Sequence, residues 1–146
     1  MKITDIIQEL EKLAPLQYAE GFDNVGLLVG DANAEVKGVL ITLDTLEAVV
    51  DEAIAKKCNL IVSFHHIIFS GLKSHTGKNY VERVVMKAIQ HQIAIYSMHT
   101  ALDNQFLGVN ASICNRLELQ NRRILIPQPH TIQKLITYVP KSDAEN

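Results

Sequence analysis

Five side chains that could bind a metal or carry a proton fall immediately after apolar, β-like runs. Ile61-Val62-Ser63-Phe64 leads into His65-His66, Tyr96-Ser97-Met98 leads into His99 with Asp103 four residues on, and residues 38–43 lead into Asp44. Imidazole and carboxylate together suit zinc, iron, manganese, nickel or cobalt, and the same groups serve as general acids and bases. Neighbouring side chains on extended backbone point to opposite sides. His65 and His66 therefore serve one site only if the chain turns there or if two ions flank it. A dinuclear centre accommodates that geometry, with the Asp103 carboxylate bridging ions about 3.5–4 Å apart. His99 fits a ligand, a proton shuttle or an orienting group, and its position leaves the three open. Asp44 has a local explanation as the N-cap of the next helix, with Glu47 completing a capping box.

These side chains need a scaffold that brings distant strand ends to one rim. Ile3, Ile6, Ile7, Leu10 and Leu13 recur at helical spacing, and Pro15 stops the helix. Asp23-Asn24, with Gly26 and Gly30 after it, reads as a turn feeding a short strand. Strand-like residues 38–43, 59–64 and 93–98 then alternate with two helical stripes: Leu46, Val49, Val50, Ala53 and Ile54, followed by Val81, Val84, Val85, Ala88 and Ile89. A further short helix is expected from Val109, Ile113, Cys114 and Leu117. The expected fold is α/β, a mostly parallel sheet with helices on both faces, built from successive βαβ units. Such a sheet keeps its chemistry at the carboxyl ends of its strands, which is where Asp44, His65, His66, His99 and Asp103 fall.

The remaining features mostly exclude. A 146-residue chain with 47% hydrophobic and 21% charged residues fits an ordinary globular domain. A net charge of −2, without a Lys/Arg cluster, gives no footprint for nucleic acid or an anionic membrane surface. Cys58 and Cys114 form neither a disulfide framework nor a Cys-x-x-Cys zinc motif, so a cytoplasmic location is expected. No apolar run approaches the length of a spanning helix or marks a signal peptide. The Ser70 to Gly77 loop holds glycine, hydroxyls and Lys73 but matches no phosphate-loop pattern, and is expected to be a solvated connection. His75, His91 and His130 are expected at exposed or core-edge positions.

Three ordered motifs carry a resemblance. Phe22-Asp23-Asn24-Val25-Gly26-Leu27, Ser63-Phe64-His65-His66-Ile67-Ile68-Phe69, and His99-Thr100-Ala101-Leu102-Asp103 followed by Gly108-Val109-Asn110 resemble the GTP cyclohydrolase I type 2 homologue family, also called NGG-one-interacting-factor-three-like. The similarity spans about residues 1–120. It implies a dinuclear divalent-metal protein assembled as a toroidal homohexamer, with His65, His66 and Asp103 as metal ligands and a small-molecule, possibly nucleotide, substrate. Ile67 stands where the family usually has proline, and Ala101 where asparagine is common. The family completes its centre with a histidine and a glutamate four residues later, and nothing after Asp103 matches that pair. The chain therefore resembles the amino-terminal part of the family fold. Residues 1–128 would be the metal-binding α/β domain, and residues 129–146 the first strand of an inserted ferredoxin-like domain. Two functions are implied: a metal-dependent hydrolase acting on an electrophilic carbon or phosphorus, C8 of guanine in the cyclohydrolase case, with His99 as the catalytic proton carrier; or a non-catalytic metal-binding scaffold working as a ring.

Overall fold

In the computed structural model, which describes residues 1–127, four strands form one sheet in the order β1-β4-β3-β2. The strands are β1 (Gly26–Val29), β2 (Val39–Thr42), β3 (Leu60–Ser63) and β4 (Ala94–Ser97). β2, β3 and β4 run parallel, whereas β1 pairs antiparallel with β4. The helices are α1 (Ile3–Leu13), α2 (Glu47–Ala55), α3 (Tyr80–Gln90), α4 (His99–Asp103) and α5 (Val109–Arg116). The two expected crossovers, β2-α2-β3 and β3-α3-β4, are present. Residues 129–146, assigned above to an inserted domain, and His130 lie outside the described residues.

Strand pleating divides the core between the two faces of the sheet. Leu60, Val62, Ala94 and Tyr96 meet Ile3 and its α1 neighbours Ile6, Ile7 and Leu10 on one face. Ile61 and Ile95 meet Val50, Ala53, Val84, Val85 and Ala88 from α2 and α3 on the other. Every residue of β3 and β4 is buried, as expected for central strands covered on both sides. The edge strand β2 is less protected: Ile41 and Leu43 are 81% and 59% exposed. Helices α2 and α3 are also joined at the surface, by Arg83 Nε to Glu47 Oε1 at 2.8 Å and by a Lys87–Asp51 ion pair.

Two local expectations are corrected, and one connection is more regular than the sequence pattern showed. Asp44 does not cap α2: the N-cap position is Leu46, without a side-chain bond, and Glu47 is occupied by Arg83. Leu46 and Ile89, read as buried stripe residues, are 51% and 56% exposed. The connection holding Asp103 is a one-turn helix, α4.

Strand β1 requires glycine at its end. Gly30 has φ +101°, and a Cβ there would lie 2.6 Å from the Ala94 Cα on the neighbouring strand. Gly30→Ala is therefore expected to cost roughly 1–3 kcal/mol from backbone strain, with further loss from the clash. Urea unfolding measures it, and an unchanged midpoint would contradict the close approach.

Candidate metal centre

The parallel register places the ends of β2, β3 and β4 side by side. His65 N–H donates to Leu43 O at 2.9 Å, and His99 N–H donates to Phe64 O at 2.9 Å, so the tips stay hydrogen-bonded beyond the named strands. The three imidazoles consequently meet: ring centroids lie 4.7 Å apart for His66 and His99, and 5.6 Å apart for His65 and His99. Phe69 stacks on His66 at 5.1 Å.

Asp23, read from sequence as a turn residue, is the hub of this rim. Its side chain is fully enclosed, and it joins the loop before β1 to the tip of β4. Oδ2 accepts from His99 Nδ1 at 2.8 Å, from Thr100 N–H at 3.1 Å and from the Thr100 hydroxyl, while Oδ1 accepts from Asn24 N–H at 2.7 Å. Burial alone would raise the Asp23 carboxyl, but the Thr100, His99 and Asn24 bonds outweigh it and hold the group below its ordinary value. The neighbouring Asn24 side chain donates to Ile68 O at 2.7 Å, which ties the same loop to the segment after His66. His99 itself has φ 23°, an uncommon backbone for a residue other than glycine.

His66 is 10% exposed, and its Nδ1 lies 3.1 Å from Asp23 Oδ1 yet has no hydrogen-bond partner. Burial depresses this imidazole; Asp23 opposes the shift, and His99 and His65 reinforce it. The ring is thus neutral at neutral pH, the form that ligates metals. His65 is more open, and its Nδ1 lies 2.7 Å from Asp44 Oδ1.

Among the described residues, Asp23, His66 and His99 form the one group of three or more possible ligands whose donor atoms lie within 4.8 Å of one another. Of the residues expected from sequence, His66 and His99 are in that group. His65 stands beside it, paired with Asp44. Asp103 ends α4, one turn beyond His99, half-buried, with its backbone carbonyl accepting from Asn110 Nδ2 at 3.0 Å. The donor chemistry and the unpartnered, buried His66 nitrogen fit a divalent ion at this rim.

No helix of the described residues is long and apolar enough to cross a membrane. A family model described as Duf34/NIF3 (NGG1p interacting factor 3) matches residues 1–144. A Staphylococcus aureus protein named GTP cyclohydrolase 1 type 2 homolog is 42% identical over 143 residues, 98% of this chain and 39% of that protein. The Bacillus subtilis protein of the same name is 40% identical over 141 residues, 96% of this chain and 38% of its own. The crystal structure of a Bacillus cereus protein related to NIF3 superposes with a TM-score of 0.82 at 38% identity, covering 88% of this chain and 35% of that one. The chain spans about two fifths of the length of the curated relatives it matches. With this coverage by the family model, and with the same fold in its relative, the chain belongs to the DUF34/NIF3 family.

Proposed function

We propose that this chain supplies His65, His66 and Asp103 to a centre of two divalent metal ions, and that the longer protein it matches is a hydrolase in which His99 carries the proton. The observation that carries this reading is the buried, unpartnered His66 nitrogen beside the His99 imidazole, at a rim where three strand tips converge. A divalent ion there would supply Lewis acidity. The chain's own residues hold the imidazoles in register, keep His66 neutral and keep His99 hydrogen-bonded through Nδ1. The relatives' name points to a purine nucleotide such as GTP as the substrate class. A cytoplasmic setting is supported by the free thiols of Cys58 and Cys114.

A second reading, a non-catalytic metal-binding ring such as a homohexamer, is supported by the uncovered apolar side chains of Val39 and Ile41 on edge strand β2 and of Leu43 just beyond it.

Zinc(II) titrated into the 146-residue chain, followed by calorimetry, tests the centre. Saturable binding is expected, weaker than in the longer protein, which supplies more ligands. No binding to either would overturn the proposal. In the zinc-loaded longer protein, His99→Ala is expected to lower GTP turnover by about 100-fold or more while metal content stays unchanged. Metal binding without turnover of GTP or of phosphodiesters would favour the scaffold.

A further inference from the structure

We propose that Asp23 and Asp44 are positioning residues that fix the tautomers of His99 and His65, so that each ring presents a bare Nε2 to the centre. This rests on the metal reading above only for the purpose the nitrogens serve; the tautomers follow from the hydrogen bonds alone.

An ionised carboxylate accepts hydrogen bonds and cannot donate them. Where one is hydrogen-bonded to an imidazole nitrogen, that nitrogen must carry the proton. His99 Nδ1 lies 2.8 Å from Asp23 Oδ2, and His65 Nδ1 lies 2.7 Å from Asp44 Oδ1. A neutral imidazole has a single N–H. With the proton on Nδ1, the lone pair is on Nε2 in both rings. Two rim histidines are thus set the same way by carboxylates from two different loops, one before β1 and one after β2.

Proximity alone would make Asp23 a third ligand, since its oxygens lie within 4.8 Å of donor atoms of His66 and His99. Its hydrogen bonding argues otherwise. Three of its four hydrogen bonds, from His99 Nδ1, Thr100 N–H and the Thr100 hydroxyl, converge on Oδ2, and Asn24 N–H takes Oδ1. Coordinating an ion through Oδ2 would break the bonds that hold the β4 tip. Asp23 Oδ2 is therefore committed to orienting the site. The same bonds anchor the unusual backbone of His99, whose own N–H is held by Phe64 O. Asp44 plays the equivalent part at the more exposed His65, where the carboxylate makes no cap to α2. Carboxylate partners of this kind fix ring orientation and raise ligand basicity in metal sites.

Long-range proton–nitrogen NMR on the metal-free 146-residue chain, above neutral pH, reads the tautomers directly. His99 and His65 are expected as Nδ1–H, whereas a free neutral imidazole prefers Nε2–H. Asp44→Ala is expected to return His65 to the Nε2–H form, leave His99 unchanged and weaken zinc binding by about 10–100-fold. A wild-type spectrum with Nε2–H at either ring would overturn the inference, and that measurement needs no variant to fold. So would an Asp44→Ala protein with His65 still Nδ1–H and zinc affinity unchanged. If neither the wild-type chain nor the longer protein bound zinc, the metal reading would fall, while the two tautomers would still decide this inference by themselves.

Discussion

Glu82→Gln is expected to lower the melting temperature by about 5 °C or more and to remove much of the protein's sensitivity to acid. Glu82 is only 2% exposed, yet it is ringed by donors. Its oxygens accept from Thr76 N–H at 2.9 Å, Lys78 N–H at 3.3 Å, and the hydroxyls of Ser74 and Thr76 at 3.1 Å, while Asn79 Nδ2 donates at 3.3 Å. Its own N–H donates to Asn79 Oδ1 at 2.9 Å, so Asn79 caps the start of α3 while its side-chain amide is held by Glu82. One carboxylate therefore folds the loop that follows His65 and His66. Glutamine keeps the shape but replaces one acceptor by an NH2 group. The amide oxygen can take the Oε2 place and keep the Thr76 and Lys78 N–H groups, and the Ser74 hydroxyl can rotate, but the NH2 then faces the Asn79 Nδ2 donor and the carboxylate charge is lost.

The acid effect has a definite sign. Burial would raise the Glu82 carboxyl, but the Thr76, Lys78 and Ser74 bonds prevail and bring it from 4.5 to about 2. Because the folded value lies below the unfolded one, the contribution is complete above about pH 4.5 and is lost as pH falls toward about 2. Thermal melts across that interval should show a steep loss for the wild type and a shallower one for Glu82→Gln. Parallel profiles would show that the carboxylate is not the group holding the loop.

The layered fold was legible because its signal is periodic and local. β3 and β4 are continuous apolar runs, and α2 and α3 lie between parallel strands with Val50, Ala53, Val84, Val85 and Ala88 at helical spacing. The antiparallel direction of β1 was not legible: the four residues Gly26–Val29 carry too little pattern to fix a pairing partner. The same rule of spacing succeeded and failed on two similar sequences. Asp44-Thr45-Leu46-Glu47 has capping-box spacing, but each end finds a stronger partner, His65 for Asp44 and Arg83 for Glu47. Asn79-Tyr80-Val81-Glu82 has the same spacing and does cap its helix, with Asn79 accepting from the Glu82 N–H, although Glu82 answers through the Asn79 side chain rather than its backbone. Asp23 was missed as a site residue for a different reason. Turn chemistry explains an Asp-Asn pair locally, and the partners that reveal its role, His99 and Thr100, are 76 and 77 residues away. Only its place inside the Phe22-to-Leu27 family motif pointed beyond a turn.

The contrast between His66 and His65 gives the sharpest separation of function from stability. His66→Ala is expected to weaken zinc binding by at least about 100-fold, more than the loss of an orienting partner would, because a ligand itself is removed. The metal-free protein should lose no more than about 1–2 kcal/mol. The reason lies in the contacts: His66 Nδ1 has no hydrogen bond to lose, and Asp23 keeps all four of its donors when the ring is gone. What disappears is the stacking on Phe69, the edge-on contact with the His99 ring and some buried area. Zinc at about 100 times its dissociation constant should stabilise the wild type by about 2.7 kcal/mol and the variant hardly at all, a difference that denaturant melts with and without zinc resolve. His65→Ala, at a ring 47% exposed, should spare metal-free stability even more and reduce zinc affinity less in this chain, because the buried, unpartnered imidazole of His66 remains. If His66→Ala instead unfolded the protein while zinc left wild-type stability unchanged, the buried imidazole would be a packing residue and the rim would have no ion to hold.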